Sequence, residues 1–188
     1  MKTFPPTSRT KADGFTLIEL LIVMLIIMVL LALLMPTLSS VRDSAWKTVA
    51  KNQCVQIATA ITAYETEYGR LPAFSGTNLS TNNLRMLLGN LNDTNNNPRG
   101  IVLIDASAWK LGKGGTNTNG FCDPFSSNTV YAVALDTNYS NLITNTPYQT
   151  NTGGTVLYTT SNNPLTKHVA VWTIWTKGKQ TNLINSWD

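Results

Sequence analysis

The sequence predicts an α+β protein: a long N-terminal α-helix, half transmembrane and half amphipathic in character, packed on a small antiparallel β-sheet head. Three observations carry that expectation. Residues Phe15 to Met35 form the only long apolar run in the 188-residue chain. From Val41 to Tyr68 apolar residues recur at steps of three and four, the spacing of one helix face. Beyond Leu71 the chain becomes a series of short β-branched and aromatic segments separated by Gly, Asn and Pro.

A run of about twenty apolar residues is long enough to cross a bilayer as a helix. Glu19 stands inside this one, where a charged side chain costs roughly 2.5–3.5 kcal/mol even on the lenient insertion scale. The residues before Gly14 are short, polar and basic, with Lys2, Arg9 and Lys11, which keeps them on the cytoplasmic side and sends the chain after Pro36 outward. A secretory signal peptide has a shorter apolar core and a small-x-small cleavage site, whereas Leu34-Met35-Pro36-Thr37 is a poor one. A plain signal anchor fits the length but leaves Gly14 and Glu19 unexplained.

The second half of the helix is read from Ala45, Trp46, Val49, Ala50, Cys54, Ile57, Ala58, Ile61, Tyr64 and Tyr68, which share one stripe. Gly69 and Pro72 are its stop signals. Residues 15–68 thus form one helix about 80 Å long at 1.5 Å per residue. Pro36 is its local weak point and kink site, because proline removes a backbone hydrogen bond and crowds the preceding turn. A short helix is expected from Thr81 to Leu91, with Leu84, Leu87, Leu88 and Leu91 on one face, although Gly89 interrupts it. Asn92 to Gly100 reads as a loop. Strands are expected at Ile101–Asp105, Val130–Asp136, Thr155–Thr160 and His168–Trp175.

Composition narrows the function. Only 13% of residues are charged and the net charge is +4, part of it in the leader. There is no basic patch interleaved with aromatics, so nucleic-acid binding is not supported. His168 is the sole histidine, which precludes a multi-histidine metal site, and no nucleophile motif accompanies it; it reads as a strand-edge residue. Gly112-Lys-Gly-Gly-Thr116 lacks the spacing of a phosphate loop and reads as a flexible turn. Asn78-Leu-Ser, Asn92-Asp-Thr and Asn138-Tyr-Ser fit the glycosylation sequon, a match that an Asn- and Thr-rich chain produces by chance. Nothing points to catalysis.

Lys11-Ala-Asp-Gly14, Phe15-Thr-Leu-Ile-Glu19-Leu-Leu-Ile and Pro36 together resemble the N-terminus of the type IV pilin and type II secretion pseudopilin family. Tyr64-Glu-Thr-Glu-Tyr-Gly69-Arg-Leu-Pro72 resembles the helix exit of major pseudopilins, and Asp123-Pro-Phe125 through Tyr131 resembles their Asp-Pro-Trp-Gly…Tyr turn. The resemblance implies a leader, residues 1–14, removed by prepilin peptidase between Gly14 and Phe15, with methylation of the new N-terminus at Phe15. It implies a transmembrane and filament-core helix at 15–36, an amphipathic half at 37–69 and a globular head at 70–188. Glu19 would then meet the Phe15 ammonium of a neighbouring subunit and set axial register; its own N-terminus, one turn away, and snorkelling to the headgroups are the alternatives. The implied function is that of a structural subunit, not an enzyme. It would sit in a type II secretion pseudopilus or type IV pilus-like filament, anchored by a single pass in the bacterial inner membrane with its head in the periplasm. Its partners would be other pilins or pseudopilins and an inner-membrane assembly platform. A minor or DNA-uptake pilin acting as a binding module, and a membrane-anchored periplasmic enzyme, are the rival readings.

In many relatives the C-terminal loop holds calcium, which takes six to eight oxygen ligands, usually with several carboxylates. Here the corresponding positions are Lys177, Lys179, Asn182 and Asn185, with Asp188 the sole acid, so a metal-free loop and no cofactor are favoured over calcium near Asn185 and Asp188. Cys54 and Cys122 are the only cysteines. They either pair across the head or leave Cys54 as a small residue of the helix stripe.

Overall fold

The computed structural model describes residues 14–74, 76–89, 96–144, 146–149, 156–159, 163–178 and 180–187. The leader ahead of Gly14, residues 92–95 of the expected Asn92–Gly100 loop, and Asp188 lie outside the described residues. The fold is α+β, a long N-terminal helix packed on small antiparallel sheets, which is a pilin-like arrangement. The first helix, α1, is Leu17–Tyr68. The chain divides into two compact units, Met1–Arg42 and Asp43–Asp188.

In the first unit, every described side chain from Phe15 to Met35 is exposed, Phe15 and Leu17 each at 82%. An apolar surface that size on a soluble monomer would be an aggregation site; it marks a segment that expects lipid or protein around it. α1 is continuous through Pro36.

In the second unit, the stripe expected on α1 is buried from Ala50 onward. Ala50, Cys54, Ile57, Ala60, Ile61 and Tyr64 are at most 2% exposed, whereas Ala45 remains exposed and Trp46 half-buried. These residues pack on Tyr131, Val133, Val171 and Ile184 of the sheet face and on Leu79, Leu84 and Leu87. Gly69 ends the helix with φ +66°, a conformation that disfavours other residues.

The central sheet has three antiparallel strands, Ala132–Leu135, Val169–Lys177 and Gln180–Asn185, with the longest in the middle. Numbered in chain order with the short hairpins, these are β3, β6 and β7. β1 (Gly115–Asn117) pairs with β2 (Gly120–Cys122), and β4 (Pro147–Gln149) with β5 (Val156–Tyr158). Val133 faces Val171 and Trp172 faces Asn185 across the sheet. A second, smaller cluster of Ile143, Ala170 and Trp172 lies with Leu183 and Trp187.

Four details differ from the sequence-based expectations. The second helix, α2, is Thr81–Leu88 and stops three residues short of Leu91. Gly89 is its left-handed cap at φ 66°, and a Cβ there would stand 2.6 Å from the Gly100 carbonyl oxygen. Ile101–Asp105 is not a strand. Its Leu103 and Ile104 amides donate to the Leu87 carbonyl at 2.8 and 3.2 Å, satisfying the end of α2 instead of a ladder. The Gly112–Thr116 segment is no free turn, because Gly115 and Thr116 belong to β1. A Cβ on Gly115 would meet the Ser107 carbonyl oxygen at 2.5 Å, so glycine is there for close approach of two backbones. Finally, the closing segment after Lys177 is a strand, β7, turned back by Gly178 at φ 61°.

Ile57 is fully buried and Val55 is 44% exposed on the same helix. Ile57→Ala should therefore destabilise the head by about 2–5 kcal/mol and Val55→Ala by less than about 0.5 kcal/mol, read from urea denaturation of the detergent-solubilised protein.

Candidate functional site

The residues that begin α1 form a reciprocal cap. Thr16 is the N-cap: its carbonyl accepts from the Leu20 amide at 3.3 Å. Its hydroxyl accepts from the Glu19 amide at 3.3 Å, while its own amide donates to Glu19 Oε2 at 2.8 Å. The Thr16 hydroxyl donates to the same carboxylate oxygen at 2.8 Å. This Thr-x-x-Glu pattern is a capping box, which satisfies orphan donors at a helix start and is worth about 1 kcal/mol. It answers the anomaly raised by the sequence. Within one chain the carboxylate is held by Thr16, two residues past Gly14. Thr16 was legible in the sequence as Ser/Thr three positions before Glu, but its neighbourhood drew attention to the apolar run instead.

Gly14 and Phe15 precede the helix with both residues exposed, so the backbone between them is reachable. Pro36 lies inside α1, and the Thr37 hydroxyl donates to the Leu34 carbonyl at 2.7 Å in the same turn.

The Asp123-Pro-Phe125 turn is built around a buried acid. Asp123 is 1% exposed; its Oδ1 accepts from the Phe125 and Ser126 amides at 3.0 and 2.9 Å, and its Oδ2 from the Thr173 hydroxyl at 2.7 Å. Burial pushes its pKa above the usual carboxylate value, and the three donors only partly offset that. Trp109 Nε1 donates to the Asp123 carbonyl at 2.8 Å. Gln53 of α1 joins the same region to the helix: it accepts from the Tyr131 hydroxyl at 2.7 Å and donates to the Lys113 carbonyl at 2.8 Å. Asp136, at the end of β3, is 3% exposed. Burial raises its pKa, but hydrogen bonds from the Ser140 and Asn141 backbone and the Ser140 hydroxyl, with the electrostatic influence of His168, outweigh it and hold it low. His168 Nδ1 stands 3.3 Å from Asp136 Oδ2.

Cys54 and Cys122 are two separate buried thiols. Cys54 Sγ points to the Ile184 carbonyl at 3.7 Å, and Cys122 Sγ to Ser127 O and Asn117 Oδ1 at 3.2 and 3.3 Å. Burial raises both pKa values, that of Cys54 to about 12. Asn182 and Asn185 are β7 residues paired with Trp175 and Trp172, and Asn182 Oδ1 accepts from Lys47 Nζ at 3.0 Å. Among the described residues no three His, Cys, Asp or Glu side chains converge as a metal site.

Two predictions follow from these groups. Because Asp123 has a raised folded pKa, the folded state binds its proton more tightly than the unfolded chain. Its contribution therefore falls as pH rises from about 3.8 through the folded value. Asp123→Asn keeps an acceptor for the two amides, so its unfolding midpoint in urea should vary less with pH than the native protein's across that window; an unchanged profile would exclude the assignment. The thiols, both buried and protonated at neutral pH, should react with a thiol reagent only on unfolding, when both become titratable.

Comparison with known proteins agrees with the N-terminal geometry. The family model described as the prokaryotic N-terminal methylation motif matches residues 9–35. No curated protein and no solved structure matches the chain. The chain thus carries a type IV pilin-like signal, and its apolar helix is a candidate membrane anchor. That motif implies processing by a prepilin peptidase and filament assembly in general.

Proposed function

We propose that the chain is a structural subunit of a type II secretion pseudopilus or a related type IV pilus-like filament. It is cleaved after Gly14, N-methylated at Phe15 and assembled through residues 15–36. The observation that carries the reading is the methylation motif at residues 9–35, with Glu19 inside it, on a helix whose apolar residues 15–35 are all exposed. Before assembly the subunit rests in the bacterial inner membrane with its head in the periplasm, and residues 37–69 connect anchor to head 70–188.

The capping box gives Glu19 two successive roles. In the stored subunit, Thr16 satisfies the carboxylate inside the membrane boundary. Cleavage then creates an ammonium at Phe15, and in a staggered filament the ammonium of a neighbour competes for the same oxygens. The Thr16 bonds already have one ionised partner, whereas an ammonium–carboxylate pair adds the attraction of two full charges, so the exchange favours the assembled state. Mechanical work of this kind requires no cofactor, and its partners are the peptidase, other pilins or pseudopilins and an assembly platform.

Glu19→Ala should insert and be processed normally but yield at least about tenfold less sheared filament, corresponding to about 1.4 kcal/mol per subunit contact. Thr16→Ala, which loses the cap but keeps the carboxylate, should retain filaments. Normal filaments from Glu19→Ala would remove the register role, and an absence of filament from the native chain in cells with a working assembly system would remove the function.

A further inference from the structure

The head is electrically lopsided. Lys47 and Lys51 lie one turn apart on α1, at the end of the second unit where α1 enters it. They line a cleft of about 330 Å³ with Thr48, Leu183, Ile184 and Asn185. Two loops distant in sequence arrive at the same end. The β6–β7 turn brings Lys177 onto Asp43 as an ion pair. The turn Lys110-Leu-Gly-Lys113 lies along α1: a Cβ on Gly112 would meet Trp46 Nε1 at 2.5 Å, and the Lys113 carbonyl is bonded to Gln53. Lys110, Leu111 and Lys113 are exposed, Leu111 at 61%. The Asp43 carboxylate here is half-buried and paired with Lys177, and Asp123 is buried. Near the C-terminal end of α1 the charges are mixed: Glu65 and Glu67 accompany Arg70 and Arg99, and Arg99 is ion-paired with Glu67.

Aromatic rings back the lysines. Phe125 stacks on Trp175 at 4.9 Å, Trp46 lies 6.3 Å from Phe125, and Lys47 Nζ stands 4.9 Å over the Trp175 ring. Clustered lysines, half-buried tryptophans and an exposed leucine are the combination that proteins use at an anionic bilayer surface. Seven residues, 36–42, separate Met35 from Asp43, a link of no more than about 29 Å even if fully extended. The basic end is thus the part of the head joined to the apolar segment by the shortest stretch of chain.

We propose that this end of the head, centred on Lys47, Lys51, Lys110, Lys113 and Lys177, binds anionic phospholipid headgroups of the membrane that holds residues 15–36. The inference rests on that membrane-embedded reading and adds a lipid partner to it. The contact keeps the stored subunit's head against the bilayer and must be released when the subunit is withdrawn into a filament. It is electrostatic, reaches about 10 Å at 0.1 M salt and about 3 Å at 1 M, and so weakens steeply with ionic strength.

The test uses the full chain in nanodiscs holding one copy each. They are made of phosphatidylcholine alone or with 30% phosphatidylglycerol, with a fluorophore on Leu111→Cys and an acceptor on the lipid headgroups. The buried native thiols leave the new cysteine as the reactive one. Energy transfer should rise with phosphatidylglycerol and fall back to the phosphatidylcholine value at 1 M salt. Lys110→Gln with Lys113→Gln should lower the bound-to-free ratio of the head about thirtyfold, at roughly fivefold per lysine. Arg70→Gln with Lys167→Gln, an equal charge change on exposed residues at the far end, should leave it unaltered. Equal transfer in both lipids, or an equal loss in both double variants, would overturn the proposal. A phosphatidylglycerol response confined to discs with two copies would assign the surface to a second subunit and overturn it too. Failure of the chain to insert at all would instead strike at the membrane reading.

Discussion

One helix meets two different solvents, and the rest of the fold answers to that constraint. From Phe15 to Met35 it is apolar on every side and every described side chain is exposed. From Ala50 to Tyr64 it is apolar on one stripe, and that stripe is sealed under sheet and loops. Burial of Ile57, Ile61 and Tyr64 against Val133, Val171 and Ile184 holds the head on its half of the helix. Among the described residues nothing comparable covers the first half.

Several polar groups are paired at the points where the helix and head hold them. Glu19 is answered by Thr16 at the helix start. Gln53 and Asp123 tie the turn around Phe125 to the helix and to β6, with Thr173 as the buried hydroxyl donor. Asn97, 2% exposed, donates to Met86 and Ile101 carbonyls and accepts from the Ile101 amide and the Tyr68 hydroxyl, joining the end of α2 to the end of α1. A buried amide with all its bonds made is worth more to specificity of packing than to net stability. These side chains explain how a head with few charges holds so many loops in place.

Periodicity made the long helix, its two characters and the sheet strands around Val133 and Val171 readable in advance, because each rests on a repeat that burial enforces. It failed where tertiary contacts replaced local pattern. Ile101–Asp105 has strand composition but serves the carbonyls of α2. Gly115 looked like a loop residue, yet its lack of a Cβ lets β1 approach Ser107. β7, with Asn182 and Asn185 in it, has too polar a sequence to announce itself and forms because β6 offers it an edge. At the N-terminus, Glu19 stands out in the sequence as a charge in an apolar run, and Thr16, three residues before it, supplies the cap that the structure shows.

The central claim is that Gly14 and Phe15 are separated to release a filament-forming helix. Intact and N-terminal peptide mass spectrometry of the protein, from cells with and without prepilin peptidase, tests it directly. With the peptidase, the chain should begin at Phe15 and carry one added methyl group; without it, the chain should retain the leader through Gly14. A mature N-terminus anywhere else, or an uncut chain in both strains, would contradict the account.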